Sequence, residues 1–320
     1  MGDAPVKNWA GGGLEDFPTA SSISDDAVLA YQTRRYACWQ CLVACGGHLT
    51  VPAEDRQQII NRKPEYETLA AFGPLCLLDD LELIIQLNDV CNRAGIDTIS
   101  TGATIAFAIE CFERGVLSSS DADDLQLAWG NGQAIAGLLD KMLRREGLGD
   151  LLADGVRVAA KQIGGGADRY AMHIGGQELP MHDPRLTMPF LLGYLLDATP
   201  ARHNQGSAAL IDMPETWTAL AGAGISSQEG YEGKANEHVK LANLMHVINA
   251  SGLCNFGVCS FVDRFILPEF MEAVVGWTLS SEDLFRMALG SAPSGWHSTS
   301  AKASIPCRGR PRIGSWGTLP

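Results

Sequence analysis

Cys38, Cys41 and Cys45 lie within RRYACWQCLVACGGH, residues 34–48, in a C-x2-C-x3-C run. Three thiolates this close together point to a shared inorganic ligand rather than to packing. Structural zinc sites usually draw on paired ligands, such as two C-x2-C knuckles, and no second pair lies nearby. A triplet with a distant fourth thiolate is an iron–sulfur arrangement, in which the loop grips three irons of a cubane and a remote cysteine closes the fourth corner. The order of the spacing is the reverse of the C-x3-C-x2-C run of radical-SAM enzymes. The best remote candidate is Cys254, in NASGLC, with Cys259 as the fallback. Cys76, Cys91 and Cys111 fall in apolar helical patterns and read as small core residues. Zinc and simple packing stand as the alternatives.

Other groups could carry chemistry. Glu65 and Glu67 flank Tyr66 in KPEYET. An acid buried near a metal has its pKa raised and can move a proton at neutral pH; the plain alternative is an acidic first turn of a helix. His182, in MHDPR, and His203, in ATPARHN, lie in a stretch from 178 to 206 where prolines break the helical rhythm. Loops of this kind often hold binding groups. Two similar turns, Asn92-x-x-Gly95-Ile96-Asp97 and Asn249-x-x-Gly252-Leu253-Cys254, each put a glycine between polar side chains after a helix. Such a turn offers backbone groups and short acceptors to a polar heterocycle, and taken singly it also reads as an ordinary helix C-terminus.

The elements that must position these residues are mostly helical. Apolar spacing predicts helices over 77–94, 101–114, 121–146, 149–163, 214–223, 232–251, 262–277 and 281–289, with glycines at several of the stops. Only 171–175 reads as a strand. The break near 178 suggests a helical domain over 1–177 and a second over 178–289. The stretch 290–320 carries Lys302, Arg308, Arg310 and Arg312 with no acid. It reads as a basic tail or as out-of-frame translation.

The chain has 320 residues, 46% of them hydrophobic, and a net charge of −13. That acidity argues against a phosphate-neutralising nucleic-acid surface. The N-terminus lacks an apolar signal core, and the apolar runs are too short to span a bilayer. A cytoplasmic setting follows, where thiols stay reduced and free for metal.

Five stretches, in order, resemble the aldehyde ferredoxin oxidoreductase family: CWQCLVAC (38–45), RKPEYETLAAFG (62–73), NDVCNRAGIDTISTG (88–102), GGQELPMHDPR (175–185) and NASGLC (249–254). The resemblance covers roughly residues 5 to 290. It implies a mainly α fold, the helical C-terminal domains of such an enzyme, without its N-terminal β-rich base under the pterins. It implies a [4Fe–4S] cluster on Cys38, Cys41, Cys45 and Cys254, and a tungsten or molybdenum bis-pterin bound only together with that base. Asn92, Gly95, Asp97, Asn249, Gly252 and Leu253 would line the pterins. The family often has Asp where Asn92 and Asn249 stand. Glu67, with Glu65 as the close alternative, would be the acid beside the metal, and His203 the active-site histidine. His182 stands where some relatives carry tyrosine.

The implied activity is oxidation of an aldehyde to the acid, with electrons leaving through the cluster to ferredoxin or another electron-transfer protein. The chain would be a fragment, or one subunit partnered by a separate N-terminal-domain chain, with no nucleic-acid or membrane partner; a homo-oligomer is compatible with it. Alternatives are a relative that reduces aromatic acyl-CoA thioesters, a non-catalytic iron–sulfur electron-transfer subunit, and a zinc-stabilised helical binding domain.

Overall fold

A computed structural model describes residues 3–53, 56–60, 62–185, 188–197, 199–204, 234–260, 267–280, 282–284 and 286–287. The described elements run β1 (Pro5–Val6), β2 (Gly11–Gly12), α1 (Asp25–Ala30), β3 (Gln32–Tyr36), β4 (Gly46–Ala53), β5 (Arg56–Ile60), α2 (Tyr66–Phe72), α3 (Leu81–Ala94), α4 (Thr98–Glu113), α5 (Gly132–Arg144), α6 (Leu148–Leu152), α7 (Val156–Ile163), β6 (His173–Ile174), β7 (Gln177–Glu178), α8 (Met188–Leu196), α9 (Lys234–Ala250), α10 (Asn255–Cys259) and α11 (Leu267–Val275). Helices dominate, as the periodicity implies. The chain groups into two compact units. Of the described residues, the first holds those up to Ala27 together with Pro64–Met181; the second holds those of Val28–Lys63 and those from His182 to Met287.

In the first unit α4 is the centre. Every residue from Thr101 to Cys111 is buried, so the helix is apolar all round, as an enclosed helix should be. The Asp97 side chain caps its start by accepting from Ser100 N–H at 2.7 Å. The preceding α3 starts the same way, with Asp80 accepting from Leu83 N–H at 3.0 Å, and stops where Gly95 turns left-handed (φ 73°). Helix α2 crosses α4 at Gly102, where a Cβ would lie 2.6 Å from the Ala71 carbonyl oxygen. Cys76, Cys91 and Cys111 are fully buried. Burial drives the Cys76 thiol far above its ordinary range and the Cys91 thiol up to about 12. Both are inert core residues.

A buried polar knot ties the N-terminal hairpin to this core. Lys7, Asn8 and Trp9 are all left-handed, with φ of 52°, 45° and 68°. Asn8 holds the turn by donating to Glu110 Oε2 at 2.8 Å and to the Tyr170 carbonyl at 3.0 Å. Glu178 caps α7 from a distance, accepting from Val156 N–H at 2.8 Å.

Several helices differ from their expected bounds. The DADD segment does not open a helix. Asp121 is engaged by Ser118, at 2.6 Å to its hydroxyl, and Asp123 and Asp124 adopt positive φ, so α5 begins only at Gly132. The expected helix over 149–163 is two, broken at Gly155 (φ 84°). The strand expected over 171–175 shrinks to His173–Ile174. The helix expected over 214–223 and the tail lie outside the described residues, and of 281–289 only part is described.

The second unit contains an antiparallel sheet, β3-β4-β5, that periodicity did not reveal. Further along, α8 packs on α9, and the buried Asp197 carboxylate lies 3.6 Å from the buried His238 imidazole. A small apolar cluster of Val247, Leu267 and Leu284 receives Leu253, Met271 and Leu279.

The α2–α4 crossing has a measurable consequence. Gly102→Val is expected to destabilise the fold by about 3 kcal/mol, because the new side chain strikes backbone. In a thermal melt the midpoint should fall by roughly 6–10 °C. Gly12→Ala, where a Cβ meets nothing within 4 Å, should leave it unchanged.

Candidate functional site

The triplet loop closes the β3–β4 hairpin. Pairing ends at Tyr36 and Gly46, and residues 37–45 form the connection. Within it, Cys41 N–H donates to the Cys38 carbonyl at 3.0 Å. Gln40 and Ala44 take left-handed backbone, with φ of 57° and 49°. The glycines after Cys45 have a steric reason: a Cβ on Gly46 would strike the Tyr36 ring, and one on Gly47 the Gln32 side chain. Cys38 and Cys45 are exposed and Cys41 is partly buried. Trp39 and Leu42, between them, are 88% and 100% exposed.

The remote candidate is held by a different device. After α9 the chain reverses at Gly252 (φ 70°), with Leu253 N–H donating to the Ile248 carbonyl at 3.2 Å. Leu253 packs against the small apolar cluster of the second unit. The next residue, Cys254, is exposed and free. Thus Leu253 is the anchor and Cys254 the presented group. All four candidate thiols belong to the second compact unit. All four are free and at least partly accessible, the state that thiolate ligation requires. The fallback, Cys259, ends α10.

Asn92, Gly95 and Asp97 lie in the turn between α3 and α4, all exposed. The Asn92 amide donates to the Asn88 carbonyl at 2.8 Å, and Asp97 caps α4. Asn249 donates to the Asn204 carbonyl at 3.4 Å. Each turn is thus sound as helix termination by itself, with polar edges facing outward.

KPEYET and ELPMHDPR, far apart in sequence, meet in the first unit. Glu67 Oε2 accepts from Met181 N–H at 2.7 Å. The Tyr66 hydroxyl lies 2.8 Å from the Met181 carbonyl oxygen and 3.0 Å from Asp3 Oδ1. Adjacent side chains of α2 therefore hold both ends of the Met181 residue's backbone. Glu65 is exposed, and its carbonyl, not its side chain, serves α2 by accepting from Thr68 and Leu69 N–H at 3.1 Å.

In the second unit, the His182 ring stacks on Phe190 with centroids 4.7 Å apart. The His203 ring lies 5.2 Å from it. Tyr194 fixes this segment by donating to the His182 carbonyl at 2.9 Å, and Asp183, almost fully buried, is forked by Arg185. Burial, with the charges of His182 and Arg202 adding to it, pushes the His203 pKa down to about 4. Its imidazole is therefore neutral at physiological pH, with one N–H to donate and one nitrogen to accept. Tyr66, Asp183, Phe190 and Tyr194 were not expected from sequence; only their positions beside Glu67, His182 and the prolines pointed to them.

A family model described as aldehyde ferredoxin oxidoreductase, domains 2 and 3, matches residues 1–290. The chain belongs to the aldehyde ferredoxin oxidoreductase family. It is similar to the tungsten-containing aldehyde ferredoxin oxidoreductase of Pyrococcus furiosus, at 29% identity over 88% of this chain and 45% of that protein. The Thermococcus kodakarensis protein of the same description is 30% identical over the same shares. An aliphatic sulfonate oxidoreductase, WOR-like subunit, of Pyrococcus furiosus is 28% identical over 87% of this chain and 41% of its own length. Among solved structures, the active-site complex BamBC of benzoyl coenzyme A reductase, held with 1,5-dienoyl-CoA, shares the fold with a TM-score of 0.67 and 21% identity, over 90% of this chain and 48% of that one. The chain thus spans less than half the length of these curated relatives. The family is one of oxidoreductases. No helix among the described residues is long and apolar enough to cross a membrane.

The depressed His203 pKa couples to stability with a definite sign. Between about 6.5 and about 4 the unfolded chain takes up a proton there and the folded chain does not. Stability contributed by the neutral ring is complete above about 6.5 and is lost as pH falls toward 4, by up to about 3 kcal/mol. His203→Gln should lose less stability than the wild type across that window in parallel denaturant titrations. Equal pH slopes would remove the claim.

Proposed function

We propose that this chain is the cluster-bearing helical part of a tungsten- or molybdenum-dependent oxidoreductase that oxidises an aldehyde to the carboxylic acid. The observation that carries the reading is the set of four accessible thiols on two turns of one unit, within a chain matched by the family over residues 1–290. Cys38, Cys41, Cys45 and Cys254 would hold a [4Fe–4S] cluster. The turns at Asn92–Asp97 and Asn249–Leu253 would offer polar edges to a bis-pterin. When bound, these groups supply two-electron chemistry at the metal and single-electron exit to a ferredoxin-like acceptor.

The chain's own residues handle protons and hydrogen bonds. Oxidation of an aldehyde with water to the acid releases two protons and two electrons. Glu67, held by the Met181 N–H through one oxygen, is the group assigned to take a proton from the reacting water or hydrate. His203, kept neutral by burial, is assigned to donate its N–H to the substrate oxygen as negative charge develops there. Stacking on Phe190 fixes the plane of His182, so its ring can shape the side of the site that the substrate chain approaches. A neutral N–H donor can stabilise the negative charge that develops on the aldehyde oxygen.

The test is aldehyde-dependent reduction of a viologen dye by protein expressed with tungstate or molybdate, purified anaerobically with any subunit that accompanies it. The loaded wild type should reduce the dye. His203→Asn and Glu67→Gln should each lower kcat by about 100-fold with the cluster spectrum unchanged. A metal-loaded protein inert toward every aldehyde tried would overturn the assignment.

A further inference from the structure

Arg35 is the last but one residue of β3, paired with Gly47 on β4. Its side chain is exposed but folds back along the hairpin onto the loop. Nε donates to the Ala44 carbonyl at 3.2 Å. One terminal nitrogen donates to the Val43 carbonyl at 3.0 Å and to the Ala44 carbonyl at 3.0 Å. All three bonds go to the two peptide units immediately before Cys45. The guanidinium thus spans the mouth of the hairpin and grips the last turn of the thiol loop.

That turn needs such a grip. Ala44 has φ of 49°, a conformation that costs a non-glycine residue about 1–2 kcal/mol. The loop cannot be stabilised by burying its own side chains, since Trp39 and Leu42 point outward at 88% and 100% exposure. Charge-assisted bonds to carbonyls are stronger than neutral ones, and the guanidinium holds its donors in a fixed planar fork, whereas a lysine offers a flexible point charge.

We propose that Arg35 is the positioning residue of the cluster loop: it fixes the Val43–Ala44 turn so that Cys45 is presented correctly, and it places a permanent positive charge beside the ligand set. The inference rests on the iron–sulfur reading of this loop. It gives two separable effects. The fork controls how firmly the thiols retain the cluster. The charge favours the reduced cluster, which carries one more negative charge than the oxidised one, and so raises the reduction potential.

Neighbouring Arg34 supplies the control. It is exposed, one residue earlier on the same strand, so its side chain leaves the opposite face of the sheet. The experiment compares wild type, Arg35→Lys, Arg35→Gln and Arg34→Gln, each purified anaerobically as the full chain. Two quantities are read: the rate of iron loss to an excess of chelator, and the midpoint potential of the visible chromophore.

Both Arg35 variants should lose iron about tenfold faster than wild type or more, the size of effect typical for outer groups that orient metal ligands. Arg35→Gln should also shift to a more negative potential, whereas Arg35→Lys should hold the wild-type potential. Arg34→Gln should match wild type in iron retention. If Arg35→Gln retains iron and potential like wild type, the proposal is overturned while the cluster reading stands. If wild type itself holds no iron under these conditions, the cluster reading fails and the proposal with it. Should Arg35→Gln fail to fold, Arg35→Lys decides on iron retention alone: wild-type retention in it overturns the role of the fork.

Discussion

A loop that is to lend its sulfurs to the proposed cluster would have to hold them still without burying itself. Every feature around residues 37–45 answers that constraint. The rigid part is the β3-β4-β5 sheet, whose hairpin register fixes where the loop leaves and re-enters. The loop itself is pinned by main-chain hydrogen bonds, Cys41 to Cys38 inside it and Arg35 across its mouth. On the other side, Leu253 anchors in a local apolar cluster so that Cys254 can stay accessible. The hold comes from main-chain groups and neighbouring side chains, and the four thiols themselves stay free.

The first unit follows the opposite logic. Its centre, α4, is sealed on all sides, and the buried Asn8 and Glu110 side chains satisfy each other against it. This sealed core gives α2 a fixed seat through Gly102 and Ala71. From that seat Tyr66 and Glu67 reach the two ends of Met181. Met181, the residue before His182, is thus held at both ends by hydrogen bonds to a helix.

Much of this was legible in the sequence, for identifiable reasons. Helices α3 and α4 were readable because apolar residues recur at helical spacing and Gly95 and Gly115 follow their ends; their starts, set by the caps Asp80 and Asp97, were placed at 77 and 101 instead. The thiols were readable because ligand chemistry is written in residue type and spacing. The sheet was not, because QTRRY carries no apolar alternation and three of its residues in a row are exposed. DADD misled because acids favour helix starts and left-handed turns alike, and here Ser118 and the α6 start claim them. The Tyr66–Met181 contact had no local signal at all, since its partners are separated by 115 positions. Likewise, periodicity says nothing about which later segment the stretch 28–63 will join.

The most direct measurement is the iron and acid-labile sulfide content of the anaerobically purified chain, with the magnetic resonance spectrum of the dithionite-reduced sample. The account requires about four iron and four sulfide per chain and the low-temperature signal of a reduced cubane. One zinc per chain with no iron or sulfide would contradict it.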